Sequence, residues 1–331
     1  MYGWGPEDTK TWRKPGGYKY DSARSPYLDK LAADSKAKGP RTYTRRSSPG
    51  KLVDPRGKEI SSESQNPLIV AIDVTGSMSA WPAEIFDRLP LMYQTLSQYR
   101  PDLEICFAAI GDATCDNYPL QVNHFGKGVD LEEHIKAMCP EGHGGGQISE
   151  SYELFGYYIL EHCKTPKATS PFLLIYGDEK FYNQIAPDQV AHYIGDKMQG
   201  PRDSNEVWKA LMQRFNLFYL QKPYNTEDTP HIDEEVRNHW AGAIGKQRII
   251  NLDSAERAVD IAMALIAKQW GQYSDFKENL GSRQLDPAVR ESVYSSVRYI
   301  PDATATTSKT TTSRKGKTTP SLSMMYDDAK R

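Results

Sequence analysis

Short apolar segments alternate with helix-length segments over residues 66–271 of this 331-residue chain. Residues 68–72 are wholly apolar, and residues 172–176 and 215–220 are nearly so. Continuous apolar runs are typical of strands buried on both faces, which occur in parallel sheets covered by helices on each side. The sequence therefore predicts an α/β fold with a doubly wound, mainly parallel six-stranded sheet and helices on both faces.

Composition and charge predict that the chain is divided into four segments. Residues 1–65, with a net charge of +6, form a basic extended N-terminal arm, and residues 66–271, at −11, form the α/β domain. Residues 272–301 form a C-terminal helical extension, and residues 302–331, at +3, a disordered low-complexity tail. Basic arms beside an acidic domain favour docking on an acidic surface, although solubilising tails have the same composition.

Several classes of protein do not fit this sequence. No apolar run approaches the roughly 20 residues of a membrane helix, and the first residues have no apolar stretch of a secretory signal. We therefore expect a cytoplasmic protein. The four cysteines form no CxxC pair, which argues against a zinc ribbon or a redox motif. The acidic central segment makes nucleic acid an improbable partner.

The most informative motif directly follows the first apolar segment. Asp73, Thr75 and Ser77 stand at positions i, i+2 and i+4, and Gly76 lets the backbone turn between them. A carboxylate and two hydroxyls that converge in this way favour a hard cation, Mg²⁺ first and Mn²⁺ or Ca²⁺ as alternatives. The same residue types cap helices, so the spacing alone also allows a simple capping turn.

A second carboxylate follows another apolar segment in the same way. Asp178 comes after residues 172–176 as Asp73 comes after residues 68–72. In doubly wound sheets, ligands bind at the carboxyl ends of strands where the strand order reverses. Two carboxylates that meet there repel each other unless a cation lies between them, so the pair predicts a metal site. Asp112 and Asp116 follow the second strand. Two interpretations are open for them: they are outer carboxylates of this site, or they are surface turn residues.

The run from Asp73 through Thr75 to Ser77 resembles the metal-ion-dependent adhesion site of von Willebrand factor A domains. The resemblance covers about residues 66–271. It is closest to the A domains associated with alpha-type protein kinases and to their bacterial and phage relatives, because further motifs fall in the same order. Those motifs are residues 110–116, 122–125 and 144–150.

This resemblance implies a set of metal ligands and a mode of binding. In the family, a threonine after a Gly-Gly pair and an aspartate after the fourth strand complete the site. Asp178 matches the aspartate, but Gln147 stands in the place of the threonine, so Gln147, Ser149 or a water molecule fills that position. The family's cation keeps an open coordination position for a carboxylate of a partner protein, and related bacterial domains imply a MoxR-type AAA+ ATPase as that partner.

Two other functions share features with this sequence. A phosphohydrolase of the haloacid dehalogenase class also has an aspartate after its first strand and a later Gly-Asp pair. Its chemistry needs Asp-x-Asp, and Thr75, in the second place, cannot exchange a proton as that aspartate does. A second alternative is a structural or interaction protein with a vestigial metal site, because Gln147 replaces the threonine of the family. We therefore expect a metal-dependent binding module that is not an enzyme.

Overall fold

A six-stranded sheet forms the centre of the computed structural model, which describes residues 50–78, 80–139, 148–224 and 230–303. The strands are β1 (Leu68–Asp73), β2 (Ile105–Ile110), β3 (Leu120–Val122), β4 (Phe172–Gly177), β5 (Asn216–Gln221) and β6 (Ile249–Asn251). Their order is β6-β5-β4-β1-β2-β3, and only the β2–β3 pair is antiparallel. The mixed α/β architecture with a mainly parallel six-stranded sheet is thus confirmed.

The apolar runs form central strands because both faces of the sheet are buried. In β1, Leu68, Val70 and Ile72 point into one hydrophobic cluster, while Ile69 and Ala71 point into a second cluster on the opposite face. All five side chains are at most 1% exposed. Alternate residues of a strand face opposite sides, so a strand between two cores has to be apolar throughout.

Helices supply both cores. They are α1 (Trp81–Tyr99), α2 (Asp130–Ala137), α3 (Tyr152–His162), α4 (Pro187–Tyr193), α5 (Ser204–Arg214), α6 (Pro230–Ile244), α7 (Ala255–Gln269), α8 (Tyr273–Arg283) and α9 (Pro287–Ser296). Buried residues of α1, α2, α7, α8 and α9 contribute to the first cluster. Those of α3, α4, α5 and α6 contribute to the second. Short 3-10 helices span Gly76–Met78 and Lys246–Arg248.

Residues 50–65 pack against the domain although their composition places them in the N-terminal arm. Val53 and Ile60 are fully buried, and the strand Ile60–Ser61 pairs in parallel with Cys163–Lys164. The other two-residue strands pair Ser149–Glu150 with Lys180–Phe181 and Gln184–Ile185 with Arg202–Asp203. Residues 1–49 of the arm and residues 304–331 of the tail lie outside the described residues.

Backbone features fix one end of two helices. Ser149–Glu150 forms a strand because its backbone pairs with Lys180–Phe181, and α3 therefore begins only at Tyr152. Helix α4 ends at Tyr193, shortly before the left-handed φ of +96° at Gly195. In the part of the chain that the structure describes, no helix has the length and apolarity needed to cross a membrane.

Candidate metal centre

Asp73 and Asp178 lie at the same edge of the sheet. Asp73 is the last residue of β1, and Asp178 directly follows β4, which pairs in parallel with β1. Neither side chain has any exposed surface. The two strand ends meet because β1 and β4 run in register from Leu68, opposite Phe172, to Ile72, opposite Tyr176. The sequence prediction that both carboxylates belong to one site therefore agrees with their positions.

The turn after β1 brings the two predicted hydroxyls to these carboxylates. Thr75 donates from its amide and from Oγ1 to Asp73 Oδ1, at 2.9 and 2.6 Å. Ser77 Oγ donates to Asp178 Oδ1 at 2.9 Å and lies 3.4 Å from Thr75 Oγ1. The 3-10 helix at Gly76–Met78 turns the backbone so that both hydroxyls face the strand ends. Four of the six predicted ligands therefore form one hydrogen-bonded group.

The third predicted loop is described only from residue 148 onward. Gln147 lies outside the described residues. Ser149 is half-buried in its short strand and pairs through its backbone with Lys180. Its hydroxyl makes no hydrogen bond to the four described residues of the group. The assignment of Gln147, Ser149 or a water molecule to the site therefore stays a prediction.

Burial and repulsion dominate the electrostatics of the two aspartates. Burial raises the pKa of Asp73, and the charge of Asp178 raises it further, to about 7, although hydrogen bonds from Thr75 and Tyr152 act in the opposite direction. Burial also raises the pKa of Asp178, against the opposing effects of Lys222 and Ser77. Two carboxylates in a low dielectric favour a shared proton or an added cation.

Sequence reasoning missed two polar partners of these aspartates. Tyr152, at the start of α3, donates its hydroxyl to Asp73 Oδ2 in a short hydrogen bond. Lys222, directly after β5, donates from Nζ to Asp178 Oδ2 at 2.9 Å, and the two side chains are 6% and 0% exposed. The strand-end argument applied to β5 would have found Lys222, because β5 is the parallel neighbour of β4. No sequence signal marks Tyr152.

More carboxylates surround the group, and two of them have unsatisfied oxygens. Glu179 and Glu150 are 3% and 1% exposed, and Oε2 of each is buried without a hydrogen-bond partner. Burial raises the pKa of Glu179, and the charges of Asp73 and Asp178 add to this effect, so that it reaches about 8. Burial, followed by the charge of Asp73 and then that of Glu179, raises the pKa of Glu150 well above its ordinary value.

Asp112 and Asp116 are buried rather than surface turn residues. Both are fully inaccessible to solvent. Asp112 accepts hydrogen bonds from the amide and the hydroxyl of Thr114, at 2.9 and 2.6 Å, and Asp116 accepts one from the Asp112 amide at 2.7 Å. Their charges raise the pKa of Glu150, which places them in the electrostatic surroundings of the site.

The chemistry of the donor set fits a hard divalent cation. Asp73 and Asp178 supply carboxylate oxygens, Thr75 and Ser77 supply hydroxyls, and the orphaned Oε2 of Glu179 adds an acceptor without a donor. Within the described parts of the chain, Lys222 is the single cationic side chain that forms an ion pair with these aspartates, and it contacts Asp178. Among the described residues, no three histidine, cysteine, aspartate or glutamate side chains converge as a ready-made chelate. A cation bound by these residues would therefore use the hydroxyls of Thr75 and Ser77 beside the carboxylates.

Comparisons with known proteins identify no family. No family model and no curated protein matches the chain. Among solved structures, the chain is similar to the pilus adhesin SpaC from Lactobacillus rhamnosus GG in its open conformation, with 12% identity and a TM-score of 0.45. The match covers 67% of this chain and 31% of the adhesin. Another crystal structure of that adhesin gives 12% identity and a TM-score of 0.43, and covers 67% of this chain and 32% of the adhesin.

The chain therefore spans about a third of the length of the adhesin chains that it matches. A likeness of this degree identifies neither a family nor a function.

Proposed function

We propose that the chain contains a von Willebrand factor A-type domain that binds a protein partner through a divalent cation, Mg²⁺ or else Mn²⁺ or Ca²⁺. The strand order supports a doubly wound sheet, since the chain proceeds from β1 to β2 on one side and from β4 to β6 on the other. The order thus reverses beside β1, where such sheets bind ligands. Asp73 and Asp178 both stand at this point.

The observation that carries the proposal is the bridge between the two strand ends. Ser77 Oγ lies 2.9 Å from Asp178 Oδ1 and 3.4 Å from Thr75 Oγ1, which itself bonds Asp73. Oxygen atoms from two separate segments of the chain therefore surround one point. A simple helix-capping turn would explain Thr75 and Ser77, but it would not require Asp178.

Each residue of this group has a distinct part in the proposed binding. Asp73 and Asp178 supply negative charge to hold the cation, and Thr75 and Ser77 orient them and offer neutral oxygens. Tyr152 fixes the second oxygen of Asp73. When bound, the cation would supply the positive charge that attracts a carboxylate of the partner. We infer a cytoplasmic protein partner, such as a MoxR-type AAA+ ATPase, by the resemblance described above.

Metal titration tests this proposal directly. We expect Mg²⁺ and Mn²⁺ to bind the full chain with one site in calorimetry, and Asp73→Ala to abolish binding because it removes the central carboxylate. Asp178→Ala should weaken binding strongly, and Ser77→Ala least, since water can replace a neutral ligand. Asp275→Ala removes an exposed carboxylate in the first turn of α8 and should leave binding unchanged.

Binding of the protein partner is measured separately, by co-purification in Mg²⁺ and in EDTA. A partner found by co-purification should bind the wild type in Mg²⁺ and dissociate in EDTA, and Asp73→Ala should not bind it in either buffer. Equal binding in EDTA and by Asp73→Ala would exclude a metal bridge. Hydrolysis of a phosphate ester that disappears in Asp73→Asn would instead support the phosphohydrolase alternative.

One observation favours a second candidate, a structural protein with a vestigial metal site. Lys222 Nζ already forms an ion pair with Asp178, so the ammonium group satisfies part of the charge that a metal would neutralise. Metal titration separates the two candidates, because a vestigial site binds neither Mg²⁺ nor Mn²⁺ at millimolar concentrations.

A further inference from the structure

Lys222 places a positive charge inside the candidate metal centre. Its backbone amide donates to the Gly177 carbonyl at 2.8 Å, which fixes the residue beside the end of β4. Its Nζ lies 2.9 Å from Asp178 Oδ2, on the carboxylate whose other oxygen accepts from Ser77. The lysine is 5% exposed as a whole residue. The ammonium group and a cation at the centre would therefore share a single carboxylate.

The ammonium group of Lys222 has two partners besides Asp178. Nζ donates to the Pro223 carbonyl at 3.0 Å and lies 5.9 Å from the centre of the Tyr224 ring. Tyr224 is itself anchored, because its amide donates to Asp233 Oδ1 at 2.8 Å. A carbonyl and an aromatic face are both favourable partners for an ammonium group. These two groups already contact the ammonium group in the conformation that pairs with Asp178, so they can stabilise its charge when a cation takes the carboxylate.

We propose that Lys222 is an internal competitor for the divalent cation, so that the ion pair with Asp178 sets the metal affinity of the centre. This inference rests on the proposed function, because it concerns the same site. A divalent ion that binds Asp178 meets the repulsion of a unit charge a few ångströms away in a buried environment. Binding therefore requires that the ammonium group give up its ion pair with Asp178 and keep Pro223 and Tyr224 as partners, and the metal affinity is lowered accordingly.

The lysine charge also determines what the loaded centre attracts. Asp73, Asp178 and a divalent cation sum to zero, any ionised Glu150 or Glu179 makes the sum negative, and Lys222 raises it by one positive charge. The carboxylate of a protein partner is attracted to a centre with net positive charge, but hardly to a neutral one. Lys222 thus weakens metal binding and strengthens the pull on an anionic partner, a combination that a neutral residue at position 222 cannot provide.

The test compares Mn²⁺ binding to the full-length wild type, Lys222→Met and Lys222→Arg by calorimetry. Lys222→Met keeps an apolar stem of similar length and removes the charge, so we expect Mn²⁺ affinity to rise on the order of tenfold. Lys222→Arg keeps the charge and should bind no more tightly than the wild type. Lys164→Met is the matched control, because it removes a lysine charge from the exposed Lys164–Glu59 pair; its affinity should stay within about twofold of wild type.

Each outcome decides between the inference and the function on which it rests. Wild-type binding with equal or weaker binding by Lys222→Met overturns the inference and leaves the metal centre standing. Binding by Lys222→Met alone supports the inference and contradicts a metal-dependent function of the natural chain. No binding by any variant contradicts both.

Removal of one partner of a buried ion pair destabilises a protein, so Lys222→Met is also followed by thermal unfolding with and without Mn²⁺. We expect Mn²⁺ to raise the melting temperature of Lys222→Met more than that of the wild type, because the cation replaces the missing charge. If Lys222→Met folds poorly and Mn²⁺ does not restore its unfolding transition, the inference is wrong.

Discussion

Two groups of buried charges in this protein are built in opposite ways. On α7, Asp260 lies 2.7 Å from Arg257 and 2.8 Å from Arg283 of α8. Burial would raise the pKa of Asp260, but the charges of the two arginines outweigh it, and the pKa is lowered. At the carboxyl ends of β1 and β4, Lys222 forms an ion pair with Asp178, no described cation pairs with Asp73, and the pKa of Asp73 is raised.

The difference separates a structural ion network from a candidate binding site. The carboxylate of Asp260 is fully neutralised by residues of the same chain, and its contact with Arg283 joins α8 to α7. As far as the structure describes it, the strand-end cluster has more negative than positive charge, and it includes the orphaned oxygens of Glu150 and Glu179. A buried cluster that its own chain does not neutralise favours an external cation or bound protons.

The largest expected effect comes from removal of the charge of Asp260. Asp260→Asn leaves two buried guanidinium groups without their counter-ion, so the free energy of unfolding should fall by about 3–5 kcal/mol. Urea unfolding followed by circular dichroism measures this loss. Added Mg²⁺ should not reduce it, because the network does not depend on a metal.

The matched variant at the other cluster is Asp73→Asn, measured in EDTA. At pH 4 the folded protein already holds Asp73 protonated, and asparagine keeps the shape of that neutral side chain, so the free energy of unfolding should change by less than about 1 kcal/mol at this pH. Equal losses in Asp73→Asn and Asp260→Asn would show that both clusters are structural, and would remove the distinction drawn above.

The strand ends of the candidate site could be predicted from the sequence. Asp73 and Asp178 each follow an apolar run, and such runs are recognisable because a strand between two cores carries no polar residue. The spacing of Thr75 and Ser77 needs only a tight turn. These predictions depend on local pattern and on one rule about parallel sheets, and the structure places all four residues together.

Contacts between distant segments could not be predicted in this way. Tyr152 reaches Asp73 from 79 residues further along the chain, and Lys222 reaches Asp178 only because β5 lies next to β4. Similarly, the helical pattern of α7 gives no sign that Asp260 faces Arg283, 23 residues away. Sequence pattern shows which face of an element is buried, but not which polar groups share that face.

A change of pH in the presence of EDTA should alter the free energy of unfolding less than Asp260→Asn does. The pKa of Asp73 rises from an ordinary value of 3.8 to about 7 on folding, so the folded protein keeps a proton that the unfolded chain loses. This contribution to stability is present below pH 4 and is lost as pH rises toward 7. We expect a loss of roughly 2–4 kcal/mol across this range, measured as the wild type minus Asp73→Asn difference in unfolding free energy.

Saturating Mg²⁺ should abolish this loss, because the cation binds the ionised carboxylate and stabilises the folded protein at neutral pH. The subtraction of Asp73→Asn matters, since burial lowers the pKa of His134 and His239. Those histidines make the protein more stable as pH rises through their ordinary range, which is the opposite sign. A wild type minus variant difference that is flat between pH 4 and 7 in EDTA would contradict the unbalanced charge of the strand-end cluster.

A comparison of two glycines, one in each region, tests the contact between Tyr152 and Asp73. Gly177 ends β4, and a Cβ atom there would lie 2.1 Å from the Tyr152 hydroxyl that bonds Asp73, whereas Gly281 in α8 has nothing within 4 Å of the same position. Gly177→Ala should therefore push Tyr152 away from Asp73, lower the free energy of unfolding by about 2 kcal/mol and weaken Mn²⁺ binding. Gly281→Ala should raise stability by up to about 1 kcal/mol, because alanine favours helix, with Mn²⁺ affinity unchanged. If Gly177→Ala lost stability but bound Mn²⁺ as the wild type does, the Tyr152 contact would belong to the core alone, and the strand-end cluster would hold its cation without it.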